Sequence, residues 1–174
     1  MSMTKTVYLL DKLNSIISVD GSWDEFAAEN EGRRVRASDV CGRSIWEFVT
    51  GDATRMWLET VFNIVRFRES AIERPYRCDS PELKRYMRMH VIPEKGGILR
   101  LEHHVVGTEE RATPIYFNFC SDQAGKSLRV RCSMCGRLKS GETWVEPQAH
   151  FGDKPLHVMV AYSVCGDCLN SVSG

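Results

Sequence analysis

The sequence predicts an α+β domain carrying a small metal-stapled module, and three observations point there. Apolar residues repeat with a helical period over residues 53–68, then with a period of two over residues 71–106. Two short apolar runs precede that helix. Two C-x-x-C pairs, Cys132-Ser133-Met134-Cys135 and Cys165-Gly166-Asp167-Cys168, stand in the last third, twenty-nine residues apart.

Residues 7–10 and 16–19 read as two strands, joined by turn chemistry at Asp11-Lys12-Leu13-Asn14. Ser22 is the expected N-cap of a short helix, with Glu25 as its capping-box partner. Trp23, Phe26 and Ala27 form that helix's apolar stripe. Residues 32–38 are charged and irregular, and residues 44–49 make a short apolar segment closed by Gly51. The main helix spans about residues 53–68, with Asp52 as its cap. Trp57, Leu58, Val61, Phe62, Ile64 and Val65 share its apolar face, while Arg55, Glu59, Asn63, Arg66 and Arg68 take the wet one. Strands follow at residues 71–78, 86–92 and 98–106, separated by breakers at Asp79-Ser80-Pro81-Glu82 and Glu94-Lys95-Gly96-Gly97. Met87, Met89 and Val91 share one strand face, as do Leu99, Leu101, His103 and Val105. This order builds a five-stranded antiparallel sheet with helices on one face. The domain is expected over residues 1–110, with a connector and cysteine module over 111–174. Within the connector, Ile115–Phe119 is an apolar stretch that pairs with a sheet or covers it.

Each C-x-x-C pair presents two thiolates from one tight turn, and four thiolates complete a tetrahedral zinc sphere. Gly136 follows the first pair and Gly166 sits inside the second, where the backbone must turn its N–H groups towards sulfur. Cys132, Cys135, Cys165 and Cys168 are therefore the expected ligands of a structural zinc in a zinc-ribbon-like module. Two other readings compete: a redox pair at Cys165 and Cys168, and two disulfides. The presence of a second pair argues against the first, and the lack of any sign of an oxidising compartment against the second. His150 and His157 lie between the pairs and are read as surface residues. Cys41, Cys78 and Cys120 have no pairing pattern and are expected as small buried hydrophobes. The module's own apolar residues, Trp144, Val145 and those of 156–162, are too few to hold it together without metal.

With 174 residues, 43% of them hydrophobic, the chain can bury a core. Lys+Arg and Asp+Glu number 23 each, so nothing in the net charge draws it to nucleic acid or an anionic membrane. The local basic run Lys126, Arg129, Arg131, Arg137 and Lys139 suits the two net negative charges of a zinc tetrathiolate. Seven cysteines without a signal-peptide pattern in residues 1–10 point to a reducing cytoplasm. No apolar run approaches a membrane span.

Residues 7–106 resemble the PAS fold. The resemblance rests on Ile17-Ser18-Val19, then Trp23-Asp24-Glu25-Phe26-Ala27-Ala28-Glu29-Asn30, then Val40-Cys41-Gly42-Arg43-Ser44-Ile45-Trp46-Glu47-Phe48-Val49 ahead of the long helix. Tyr76-Arg77-Cys78-Asp79-Ser80-Pro81, with Arg85, Met87 and Met89, is similar to a bacterial PAS subgroup. The C-x-x-C tail is similar to one found after PAS or receiver domains in bacterial signalling proteins. The resemblance implies a sensor of small ligands, haem, flavin or redox state that acts through its sheet face and N-terminal flank. It places a ligand cavity near Trp57, Met87, Met89 and Leu101, with His103 as the candidate haem ligand. The flavin photochemistry motif N-C-R-F-L is absent, Arg77-Cys78-Asp79 being a different sequence. No kinase, cyclase or helix-turn-helix pattern occurs, and no catalytic constellation, so no enzyme is expected. The expectation is a stand-alone, bacterial-type, cytoplasmic PAS module for signalling, ligand sensing or protein interaction, with a structural zinc and an unidentified small-molecule ligand. It is expected to act as a homodimer on a signalling protein, without nucleic acid or membrane. A thiol/zinc redox switch and a haem-binding sensor are the alternatives.

Overall fold

A tight turn starts the architecture. β1 (Lys5–Leu10) and β2 (Ile16–Val19) form an antiparallel hairpin. Between them the Asp11 carboxylate accepts the N–H groups of Leu13 and Ser15, each at 2.8 Å. Asn14 takes a left-handed φ of 64°, which asparagine tolerates better than most residues. Then come α1 (Trp23–Glu29), α2 (Ala37–Val40), a 3-10 turn at Ile45–Glu47 and α3 (Asp52–Arg68). β3 (Ile72–Arg77), β4 (Leu83–Pro93) and β5 (Leu99–Glu110) follow. The remaining elements are β6 (Ile115–Phe119), β7 (Arg129–Cys132), β8 (Leu138–Ser140), β9 (Thr143–Val145), α4 (Pro147–Phe151), β10 (Leu156–Ser163) and α5 (Gly166–Asn170). The computed structural model describes residues 5–20, 22–29, 36–120, 128–151 and 156–171. The side chains of Phe26 and Ala27, expected in the α1 stripe, lie outside the described residues, as does Lys126.

Two five-stranded sheets result. The first is antiparallel, in the order β2-β1-β5-β4-β3 and flanked by helices. β1 pairs with β5 from Lys5↔His104 to Leu10↔Leu99. Its element order is the one expected from the sequence. The second sheet has the order β6-β10-β7-β8-β9, with β10 running parallel to both its neighbours. The chain divides into two compact units, residues 1–50, 58–75 and 87–106 in one, residues 51–57, 76–86 and 107–174 in the other. No helix among the described residues is long and apolar enough to cross a membrane.

In the first unit, Leu10, Ile16, Val40, Ile45, Val61, Phe62, Val65, Met87, Met89, Val91, Leu99 and Leu101 are buried. The α3 residues among them recur at helical spacing, and the strand residues alternate, as an amphipathic helix and half-buried strands require. The segment after α2 is laced onto β2: Gly42 N–H donates to Ile16 O, and Ile16 N–H to Arg43 O. A capping box forms there, with Ser44 Oγ accepting from Trp46 N–H and Glu47 Oε1 from Ser44 N–H. Ser22 ties α1 to β1 by donating its hydroxyl to Lys5 O at 2.6 Å.

Arg66, expected on the wet side of α3, instead reaches two turns. Its Nε donates to Gly97 O at 2.9 Å, and its Nη2 to Asp11 O at 2.8 Å and Asn14 Oδ1 at 2.9 Å. Helical period places the residue at the edge of the apolar face, but where loop carbonyls converge is a tertiary fact.

His103 stacks on Tyr8, with ring centroids 5.4 Å apart and 11° between planes, and Trp23 closes on Tyr8 edge-on. His103 Nε2 lies 3.2 Å from Tyr8 Oη. Burial pushes the Tyr8 phenol up and draws His103 down to about 4, with the neighbouring His104 adding to the latter. A neutral imidazole is thus favoured by the fold, while the unfolded chain takes up its proton at about 6.5. Between those values the unfolded state binds more protons, so stability falls as pH drops. Unfolding free energy measured by urea should decline from about pH 6.5 and flatten below about pH 4, and His103→Gln should lose most of that slope.

Candidate metal centre

β7 and β10 are parallel and in register, with Ser163 opposite Cys132, so their C-terminal ends emerge side by side. This brings the cysteine pairs together. Cys132 ends β7, and a tight turn closed by Gly136 N–H donating to Cys132 O leads into β8. Cys165 caps α5, and Cys168 comes one helical turn later. Ser133 N–H donates to Ser163 O at 2.9 Å, pinning one turn to the other.

The four sulfurs lie within 4.8 Å of one another, and Cys135 Sγ is 3.8 Å from Cys165 Sγ. A tetrahedron with metal–sulfur bonds of about 2.3 Å has edges of about 3.8 Å, whereas a disulfide needs about 2.05 Å. All four are free thiols. The backbone N–H groups of Cys135 and Cys165 donate to Cys132 Sγ at 3.5 and 3.4 Å, as donors around a thiolate do. Hydrogen bonds from the Cys135 and Cys168 thiols, together with these N–H groups, hold the Cys132 thiol far below its usual value. Donating to Cys132 in turn pushes the Cys135 thiol up to about 11, and hydrogen bonds to Cys132 and Cys135 push Cys168 higher still. Sulfurs this close resist ionising together unless a cation joins them. The cluster is able to coordinate a metal ion, and its four thiolates leave no position open for a substrate.

Beside the first turn stands a group that the sequence did not reveal. Asp79, its side chain 1% exposed, accepts from Arg77 Nη2 at 2.6 Å, Arg111 Nη2 at 2.7 Å and Arg131 Nη2 at 2.8 Å. Arg77 also makes two 2.9 Å bonds to Glu146. Burial works against the charge of Arg77, but Asp79 and Glu146 outweigh it and raise its pKa. Arg111 Nε and Nη1 are buried with no hydrogen-bond partner among the described residues. Gly136 makes this packing feasible. Its φ is 74°, and a Cβ there would lie 3.1 Å from Arg131 Nη2 and 3.2 Å from Arg77 Cζ. In the sequence, Asp79 reads only as part of a strand breaker, and nothing local marks it as the meeting point of distant arginines. Of the basic run expected around the first pair, Arg131 lies in this network and Arg137 is 3.8 Å from Glu146.

Other expected site residues fall out as follows. Met87, Met89 and Leu101 are buried in the first unit, and Trp57 is buried in the second. His103 is engaged with Tyr8 through Nε2, the nitrogen that a haem would need. An open depression of about 280 Å³ on the first unit is lined by Arg66, Glu69 and residues 93–98, none of them among the five proposed pocket residues. His157 is exposed and stacks on Tyr116, and His150 packs edge-on against Phe151. Cys41 is exposed, and Cys78 and Cys120 are half-buried, so none of the three is the fully buried small hydrophobe expected. Exposure of Cys41 follows from its place at the end of the four-residue α2, whose one buried side chain is Val40. The second unit also has its own apolar cluster of Ile115, Leu138, Val158 and Val160, backed by Phe117, Phe151, Leu156 and Tyr162.

No protein-family model and no curated protein matches this chain. Among solved structures, it is similar to the crystal structure of a domain of an HTR-like protein from Haloarcula marismortui ATCC 43049. The identity is 15% and the TM-score 0.45, over 59% of this chain and 98% of that one.

Two substitutions probe the network. Asp79→Asn keeps the shape but removes the charge that three guanidinium groups share, leaving only Arg77 with a second carboxylate, Glu146. It should cost about 3 kcal/mol in urea unfolding, as breaking a buried ion pair does. Gly136→Ala should cost about 2 kcal/mol, combining left-handed strain with the collision against both arginines. Gly141→Ala, also left-handed but with nothing within 4 Å of its Cβ, should cost about half as much.

Proposed function

We propose that this chain is a PAS-like sensing or protein-interaction module whose second unit is stapled by one structural zinc. The convergence of four cysteine sulfurs at tetrahedral spacing carries the zinc reading. Cys132, Cys135, Cys165 and Cys168 would hold the ion, which supplies a crosslink rather than a reactive water. Charge supports this reading. Arg77, Arg111 and Arg131 set three positive charges against Asp79 and Glu146, and a zinc tetrathiolate would offset the excess.

The PAS part of the reading rests on the element order of the first sheet and on the sequence resemblance. Output would pass to a signalling partner in the cytoplasm from a homodimer, with no catalysis by the chain itself. One observation favours a ligand: the indole N–H of Trp57, buried to 4% exposure, has no acceptor among the described residues. A ligand oxygen would satisfy it. A second reading, the thiol/zinc redox switch, is favoured by the half-buried Cys135 and Cys168, which an oxidant can reach.

Elemental analysis of reduced protein should find one zinc per chain, and protein free of zinc would overturn the reading. Cys132→Ser should abolish zinc retention while the first unit keeps its thermal transition. Peroxide should release zinc only if the switch reading holds. Native mass spectrometry reads metal, retained ligand and dimer together.

A further inference from the structure

Strand alternation puts His90 on the face of β4 opposite Met89 and Val91, and Glu102 and His104 on the face of β5 opposite Leu101. β4 and β5 are neighbours, so these three side chains meet within the first unit. One ligand atom from each lies within 4.8 Å of the others. The two imidazole rings are 5.1 Å apart and tilted by 43°. We propose that His90, Glu102 and His104, with Glu73 of β3 beside them, form a second metal site, for a divalent transition metal rather than calcium or magnesium.

The contact distances fit. His104 Nε2 is 3.3 Å from Glu102 Oε2, and His90 Nε2 is 3.0 Å from Glu73 Oε2. Nitrogen and oxygen donors at about 2.0–2.2 Å from a tetrahedral metal stand about 3.4 Å apart. The His90 contact, close as it is, does not meet the geometry of a hydrogen bond, and Nε2 is buried without a hydrogen-bond partner among the described residues. Two donors that approach without pointing at each other have the arrangement of ligands converging on a shared ion. Two imidazoles and a carboxylate suit zinc, cobalt, nickel or copper. His103 takes no part, because adjacent residues of a strand face opposite ways.

The site has built-in competitors. Lys5 Nζ holds Glu102 Oε2 at 3.0 Å, Arg100 holds Oε1, and Arg88 Nε lies 3.1 Å from Glu73. Binding is therefore weaker and more readily reversed than at four thiolates.

Cobalt(II) titration of the full chain, preloaded with zinc and desalted, tests the assignment. One equivalent should bind with d–d bands but no sulfur-to-metal charge transfer, which separates this site from the cysteine cluster whether or not that cluster holds zinc. His90→Gln and His104→Gln should each weaken cobalt binding at least about tenfold. Lys5→Met, at a side chain 41% exposed, should tighten it by freeing Glu102, a gain that misfolding does not produce. No sulfur-free cobalt signal, or an affinity unchanged in both histidine variants and in Lys5→Met, would overturn the proposal.

Discussion

A single carboxylate governs the second unit. Asp79 is almost wholly buried and is the acceptor for guanidinium groups from β3, from the segment after β5 and from β7. Stretches that lie far apart in sequence are held to one point. Backbone bonds reinforce the arrangement: Arg77 N–H donates to Met134 O, Arg111 N–H to Glu82 O and Ile115 N–H to Pro81 O. Each charged bond is stronger than a neutral one, yet removing the shared acceptor strands every donor at once. Residues 76–86 belong to the second unit.

The cysteine cluster and the arginine network share the first C-x-x-C turn. Gly136 allows the turn to be tight and lets two guanidinium groups lie against it. On the zinc reading, the metal joins turn to turn while Asp79 joins the first turn to the rest of the unit. The first unit uses a different solution, an apolar core with polar anchors such as Arg66 at its turns.

Much of this was legible in the sequence. The element order, the buried stripe of α3 and the alternation of β4 and β5 follow from hydrophobic period, which is local. The cysteine spacing anticipated the convergence of Cys132, Cys135, Cys165 and Cys168. What was not legible depends on pairing over long distances. Ile115–Phe119 read as an apolar stretch that pairs with a sheet or covers it, and that its partner is β10 in a mixed sheet follows from register rather than composition. The module's apolar residues were read as too few to hold it without metal; that Ile115 and Val158, from strands about forty residues apart, meet in one cluster is settled only on folding. Asp79 and Arg111 carried no local signal. His90 and His104 are fourteen residues apart in sequence and meet only because their strands are neighbours.

The position of β10 has a consequence for how the molecule is assembled. It lies between β6 and β7, yet is the last of the three to be synthesised. Until residues 156–163 exist, β6 has no neighbour in its sheet and β7 has β8 alone. Both expose unpaired edges, and β6 carries no charge to discourage association with another chain. Strand insertion of this kind is non-local and slow. The second cysteine pair sits directly beyond the inserted strand, so the four sulfurs meet only after insertion is complete. A nascent chain therefore passes through a window of self-association that narrows when β10 docks between β6 and β7.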